Sequence, residues 1–314
     1  MLLANFKAPW WLKNSHLQTL YPTIFQKKIQ LNLIYDEFEL SDSDKIGIHW
    51  TSNKNENLPL IILLHGLEGS SSSHYIKRMM QDASQIGYRV VCVHFRGCGP
   101  VLTPKKSYHA GYTEDFEDFF SSLIKSKNFN QEIYVVGYSL GGNVLIKWLA
   151  LSPLAQYITA AAAVSVPFDL LSSSQVINKG FAKIYQRFLL NALKKSMQIH
   201  FNIKVTEKTI YDFDDNITAK WSGFKNAKDY YSQSSSNQFL IKVTTPVLII
   251  HAKDDPFLDP GAIPTWNQFS PSIKFELSDN GGHLGFVCGK NPLKPEYWLE
   301  KRILNYFSAT QSAE

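Results

Sequence analysis

The chain has 314 residues, of which 44% are hydrophobic and 19% are charged, a composition typical of a folded globular protein. This length allows one large hydrophobic core or two smaller ones. The formal net charge of +5 is modest. We expect it to be scattered along the chain, which argues against a nucleic-acid-binding protein and leaves a weak peripheral attraction to anionic lipid headgroups open.

Targeting features and cysteine usage narrow the class further. The sequence has no apolar run of about 18 residues, so it predicts no transmembrane segment. Its first residues lack the basic region and long apolar core of a secretory signal. Cys92, Cys98 and Cys288 are odd in number and widely spaced, which favours reduced thiols over a disulfide framework or a zinc site. These features predict a cytoplasmic protein.

In chain order, the first regular segments are residues 30–40 and 46–51, whose alternation predicts an antiparallel hairpin at a sheet edge. Apolar runs typical of strands buried on both faces follow. They cover residues 58–65, 88–94, 132–137, 159–166, 246–251 and 273–277, and the alanine-rich fourth run leaves helix open. Helical patterns lie between them at 73–86, 114–125, 140–151 and 295–307, with Thr113 as the expected N-cap of the second. This alternation predicts an α/β protein with a mostly parallel central sheet flanked by helices.

Residues 168–238 break this alternation, because they contain an amphipathic helical pattern at 180–199 and no strand-like run. We interpret them as a helical cap insertion over the sheet, where such inserts shape a substrate pocket and exclude water. The sequence therefore predicts three segments. They are a first part of the core at 1–167, the cap at 168–238 and a second part of the core at 239–314.

The strongest motif is Gly137-Tyr138-Ser139-Leu140-Gly141, which fits G-x-S-x-G. An apolar run precedes it and an apolar helical pattern follows it, so the predicted context is strand, sharp turn and helix. Glycines on both sides avoid a steric clash at the turn, and the helix dipole favours negative charge developing near the serine. We predict that Ser139 is a nucleophile.

A serine hydroxyl needs a general base, and in this arrangement the base comes last in the chain. His283 lies in a glycine-rich run at 279–286, directly after the last predicted strand, and is the expected base. The acid that orients it should follow the preceding strand. Asp255 is favoured there; Asp254 stays an alternative and Asp259 is a more distant one.

An oxyanion hole needs two backbone N–H groups. One is expected from Leu140, directly after the nucleophile. The other is expected from Leu67, in the glycine-containing loop at 65–69 that follows the first long strand.

The motifs together resemble the YheT-like branch of the α/β-hydrolases, bacterial relatives of a mammalian hydrolase-domain group that includes phospholipid-acting members. The matching blocks span most of the chain: PWWLKNSHLQT at 9–19, HGLEG at 65–69, FRGCG at 95–99, GYSLGGN at 137–143, the DYY–SS stretch from 229, DDPF at 254–257 and GGHLGF at 281–286. The resemblance implies an α/β-hydrolase fold, Ser139, Asp255 and His283 as the charge-relay residues, and esterase-like activity, without settling Asp254 against Asp255.

These residues predict a serine hydrolase that cleaves carboxylic esters, of lipids or of short or medium acyl chains, through an acyl-enzyme on Ser139. No metal or organic cofactor is expected. Two alternatives stay open: an acyltransferase that uses the same residues, and a non-catalytic binding module on a hydrolase scaffold. The natural substrate and the oligomeric state cannot be read from the sequence.

Overall fold

The computed structural model describes residues 2–26, 28–53, 55–100, 104–126 and 131–311, and a nine-stranded sheet runs through it. In chain order its strands are β1 (Leu2–Leu3), β2 (Leu33–Glu39), β3 (Lys45–Thr51), β4 (Leu60–Leu64), β5 (Arg89–Val93), β6 (Ile133–Tyr138), β7 (Ala160–Val164), β8 (Val247–Ala252) and β9 (Ile273–Ser278). Across the sheet the order is β1-β9-β8-β7-β6-β4-β5-β3-β2. The pairs β2–β3 and β3–β5 are antiparallel and the others parallel, which confirms both the α/β class and the predicted edge hairpin.

Helices cover both faces of this sheet. The α-helices are α1 (Ser15–Phe25), α2 (His74–Gln85), α3 (Glu114–Lys125), α4 (Leu140–Leu151), α5 (Leu170–Val176), α6 (Lys183–Phe201), α7 (Ile210–Phe213), α8 (Ala219–Trp221), α9 (Ala227–Ser234) and α10 (Trp298–Gln311). Helices α3 and α4 pack on one face of the sheet and α2 and α10 on the other. Successive residues of β4 alternate between the two cores, because side chains along a strand point to opposite faces.

The alanine-rich run at 159–166 forms the strand β7, in the middle of the sheet and fully buried. Periodicity could not separate strand from helix here, because a strand covered on both faces shows no polar alternation. The pairing of its backbone with β6 and β8 decides the outcome.

Of two local predictions, one is confirmed in position and one is wrong. Thr113 is the N-cap residue of α3, with acidic residues in the first turn, but its side chain makes no capping hydrogen bond. The last helix begins at Trp298 and not at Pro295, because Glu296–Tyr297 (β11) pairs with Val287–Cys288 (β10) in a separate two-stranded sheet.

Between β7 and β8, residues 168–238 form helices and connecting turns without a strand. Helices α5 to α9 lie in this stretch, and α7 and α8 join through a π-helical turn at Asp214–Thr218. No helix in the described ranges is both long enough and apolar enough to cross a membrane.

Candidate active site

Ser139 lies in a sharp turn between β6 and α4, with φ of 52° and ψ of −119°. Its backbone N–H donates to the carbonyl of Val164 in β7 at 2.8 Å, which fixes the turn to the neighbouring strand. A Cβ at Gly137 would lie 2.6 Å from the carbonyl oxygen of Gly141, and one at Gly141 would lie 2.5 Å from that of His65. Close packing of the turn therefore requires both glycines of the motif.

The structure brings Ser139, His283 and Asp255 together. The Nε2 atom of His283 is 3.0 Å from the Oγ of Ser139, and its Nδ1 atom is 2.8 Å from Oδ2 of Asp255. The imidazole is 8% exposed and the Asp255 carboxylate 1%. Asp254 instead accepts the backbone N–H of Gly282 at 3.0 Å, so it braces the loop and does not contact the imidazole.

The loop that carries His283 is held by helix α1. Thr19 Oγ accepts the backbone N–H of His283 at 2.9 Å and donates to the carbonyl of Ser15 at 2.8 Å. Gln18 is fully buried; its side chain accepts from the N–H of Val287 at 2.8 Å and donates to the carbonyl of the same residue at 2.9 Å. A Cβ at Gly285 would lie 2.3 Å from the Gln18 carbonyl oxygen, so the loop and the helix are in direct backbone contact.

An aromatic stack covers the imidazole. The ring of Phe257 lies parallel to that of His283, with centroids 4.0 Å apart and an interplanar angle of 3°. The ring of Tyr185 of α6 contacts that of Phe257, with centroids 4.8 Å apart and an interplanar angle of 38°, and its hydroxyl is 3.2 Å from Nδ1 of His16. Helix α6 is therefore linked to the imidazole through the rings of Tyr185 and Phe257.

Leu140 and Leu67 are the two predicted oxyanion donors, and both belong to turns that lie close to Ser139. Leu140 is the first residue of α4, so its N–H has no acceptor within that helix. A Cβ at Gly66 would lie 3.4 Å from the Cβ of Ser139, so the loop that contains Leu67 passes close to this serine. No acceptor for the Leu67 N–H is found within the described part of the chain.

The neighbours of Leu67 hold its loop in place. The N–H of Gly66 donates to the Tyr75 hydroxyl at 3.0 Å, and that of Glu68 donates to the Tyr108 hydroxyl at 2.8 Å. The Tyr108 hydroxyl in turn donates to the Glu68 carboxylate at 2.9 Å. Burial raises the pKa of this carboxyl.

A neutral imidazole supports the same loop. Nδ1 of the buried His65 donates to the carbonyl of Gly66 at 2.7 Å, and Nε2 accepts the N–H of Phe95 at 3.2 Å. Burial lowers the pKa of His65 to about 4, which keeps the ring neutral near pH 7. This tautomer ties the loop after β4 to the loop after β5.

A family model described as the alpha/beta hydrolase fold matches residues 59–289. The chain belongs to the α/β-hydrolase family. It is 36% identical over 325 residues to the protein named "Putative esterase YheT" of Escherichia coli (strain K12), with 99% of this chain and 95% of that protein covered. This match confirms the resemblance to the YheT-like branch.

Two further comparisons extend the family. "Phospholipase ABHD3" of Mus musculus is 29% identical, with 91% of the chain and 74% of that protein covered. The crystal structure of the alpha/beta hydrolase GrgF from Penicillium sp. sh18 aligns with a TM-score of 0.61 at 14% identity, over 90% of this chain and 100% of that one. That structural likeness shows the fold alone.

Reasoning from the residues missed the parts of this α/β-hydrolase that hold the histidine loop. Thr19 is 264 positions from His283, and no periodicity links the two. A signal was present in the N-terminal block at 9–19, which the family resemblance singled out without a physical reason. The structure supplies that reason: Asn14 caps α1 by accepting the N–H groups of His16 and Leu17, while Gln18 and Thr19 hold the loop.

Proposed function

We propose that this hydrolase cleaves carboxylic esters through an acyl-enzyme on Ser139. The observation that carries the proposal is the unbroken path from the Ser139 hydroxyl through the His283 imidazole to the buried carboxylate of Asp255, with steps of 3.0 and 2.8 Å. The names of two relatives, an esterase and a phospholipase, support the same reaction class.

In the proposed first step, the Oγ of Ser139 attacks the ester carbonyl carbon while Nε2 of His283 takes the hydroxyl proton. The Asp255 carboxylate stabilises the resulting imidazolium and accepts the hydrogen bond from its Nδ1–H. The negative charge on the carbonyl oxygen is stabilised by the N–H groups of Leu67 and Leu140. The imidazolium then protonates the departing alkoxide, and the alcohol leaves the acyl group on Ser139.

In the second step, water gives a proton to Nε2 of His283 as its oxygen attacks the acyl carbon. The tetrahedral intermediate collapses, His283 returns the proton to Oγ of Ser139, and the carboxylic acid leaves. The same protein groups serve both half-reactions, so this chemistry uses side chains and backbone of this chain throughout.

We further propose that residues 168–238 act as a cap over the acyl side of the site, inserted between core segments 1–167 and 239–314. Leu67 packs against an apolar cluster of the proposed cap, made of Leu190, Leu193, Met197 and Phe213. An apolar wall beside a proposed oxyanion donor suits an acyl chain better than a polar one. The substrate class would then be esters with an aliphatic acyl group.

The test is hydrolysis of p-nitrophenyl esters of graded acyl length by the native protein and by Ser139→Ala, together with labelling by a fluorophosphonate probe. We expect the native protein to hydrolyse the esters and to be labelled, and the variant to do neither. Hydrolysis retained in the variant would refute the nucleophile. No labelling of the native protein, beside a control serine hydrolase that reacts, would favour a binding module, and ester products formed in the presence of an added alcohol would favour acyl transfer.

A further inference from the structure

The positive charge of the chain is concentrated in residues 178–208. This segment holds six lysines and one arginine against a single glutamate, a net charge of +6, whereas the whole chain carries +5. The remainder of the protein is therefore close to neutral. The expectation of a scattered basic excess is wrong, and the charge belongs to one helix, α6, and its flanking turns.

An exposed apolar ridge runs along the outer side of α6. Ile184, Phe188 and Ile199 are 57%, 73% and 58% exposed, and Phe181, just before the helix, is 48% exposed. At 100° per residue these positions fall on one side of the helix. The opposite side, which includes Leu190, Leu193 and Met197, is buried against the protein. The ridge is thus an apolar surface without a partner in the chain as described.

A basic stripe lies beside the ridge. Lys183, Arg187 and Lys194 follow each other at spacings of four and seven residues, which keeps them on one line of the helix surface. With Lys208 they line a cavity of about 450 Å³, and no carboxylate is found among its described lining residues. The arrangement offers several cations to phosphate groups at the level of the ridge.

The ridge borders the active site. The ring of Phe181 is 4.4 Å from that of His16, whose Nδ1 lies 3.2 Å from the hydroxyl of Tyr185. Tyr185 packs on Phe257, which stacks on His283. Leu17, next to His16 on α1, is a further exposed apolar side chain, at 53%.

We propose that this face of α6 docks the protein on an anionic lipid bilayer, with the ridge of Phe181, Ile184 and Phe188 in the headgroup region and the basic stripe on lipid phosphates. A helix with apolar and basic faces side by side is typical of interfacial binding, and basic residues near anionic lipid add to it. A second copy of the chain fits less well, because two segments of like charge would face each other. Nucleic acid would leave the ridge without a partner.

The first test measures co-flotation of the Ser139→Ala protein with vesicles, so that no lipid is consumed and the outcome does not depend on the proposed hydrolysis. Vesicles of phosphatidylcholine alone are compared with vesicles made of equal parts of phosphatidylcholine and phosphatidylglycerol. We expect binding to the anionic vesicles that falls as salt is raised, and at least tenfold weaker binding to the neutral ones. No binding to anionic vesicles, or equal binding to both kinds, would overturn the proposal.

The second test removes the basic stripe. Replacing Lys183 and Arg187 with serine should weaken binding about thirtyfold, since each basic residue near an anionic surface contributes roughly fivefold. The matched control replaces Lys242 and Lys290, two exposed lysines outside the segment, and should bind like the parent protein. An equal loss in both double variants would attribute binding to net charge alone and overturn a specific face.

The third test removes the ridge. Ile184→Ser with Phe188→Ser should weaken binding roughly a hundredfold, because both side chains enter the lipid in the proposed orientation. The control, Trp266→Ser with Leu293→Ser, changes two side chains that are 65% and 87% exposed elsewhere. Unchanged melting temperatures would show that the variants are folded. Two results would overturn the proposal: native-like vesicle binding by the ridge variant, or a dimer of the parent protein that the ridge variant no longer forms.

Discussion

Replacing Thr19 with valine tests whether α1 sets the position of the His283 imidazole, the proposed general base. Valine keeps the shape of the side chain and removes the hydroxyl that accepts the N–H of His283 at 2.9 Å. His283 is buried, so its backbone N–H would be left without an acceptor. The expected loss is about 1–3 kcal/mol in the free energy of unfolding. The loop can recover part of that cost by moving away from α1, which takes Nε2 away from Ser139.

A displacement of about 1 Å at a reacting group can lower a rate on the order of a hundredfold. We therefore expect Thr19→Val to reduce kcat about ten- to a hundredfold on a soluble p-nitrophenyl ester, with little change in KM, because the variant leaves the proposed acyl wall intact. Urea unfolding of the same samples would measure the stability loss.

Thr19→Ser is the matched control, since it removes a methyl group and keeps the hydroxyl. It should retain most of the native kcat. Equal losses in the serine and valine variants would mean that packing matters and the hydrogen bond does not, and a native kcat in the valine variant would refute a positioning role for Thr19.

Two further predictions concern acidic and basic groups of this fold. Asp255→Asn should lower kcat about ten-thousandfold, because the amide no longer stabilises the His283 imidazolium. The control, Asp254→Asn, keeps an oxygen that can accept the Gly282 N–H and should lose far less activity. Similar losses of kcat in both variants would contradict the assignment of Asp255. Burial lowers the pKa of His251 to about 4 from its ordinary value of 6.5. The unfolded chain therefore takes up this proton first, and stability that is complete above pH 6.5 is lost as the pH falls towards 4. In urea unfolding, the difference in the free energy of unfolding between pH 8 and pH 5 should be about 2 kcal/mol smaller in His251→Leu than in the native protein. An unchanged difference would contradict the contribution of His251 to this pH dependence.

The placement of Ser139 and His283 in one site could be predicted from the sequence because their signals are local. The glycines of the nucleophile turn are required by contacts within a few residues and with the adjacent strand. His283 follows the last long strand in a glycine-rich loop, and the order of the chain then places it at the same edge of the sheet as Ser139.

The choice between Asp254 and Asp255 could not be made with the same means. The two side chains leave the turn in different directions, one towards the N–H of Gly282 and the other towards the imidazole. Adjacent positions in a sequence carry no information about that difference. The backbone path after β8 determines it, and this path depends on contacts with a loop almost thirty residues later in the chain.

The positive charge of α6 and its flanking turns shows a different limit of prediction from the sequence. A total of +5 for the whole chain conceals a segment with +6, because the rest of the sequence nearly cancels. Identifying the ridge also required the structure, since Phe188 and Leu190 are both apolar and only one of them is buried. Hydrophobicity along the sequence does not distinguish a side chain that packs from one that projects outward.

The hydrogen bonds and backbone contacts between α1 and the His283 loop affect the order in which the site can form during synthesis on the ribosome. The nucleophile turn can form once β6, β7 and α4 have emerged, since its contacts come from those elements and from β4. Thr19 of α1 is translated 264 positions before His283, so the contacts of α1 with Gly282, His283 and Gly285 form only after that loop has been made. We therefore expect Ser139, the proposed nucleophile, to take its position before His283, the proposed base, can reach it, so that the hydroxyl stays unactivated until the His283 loop has been translated.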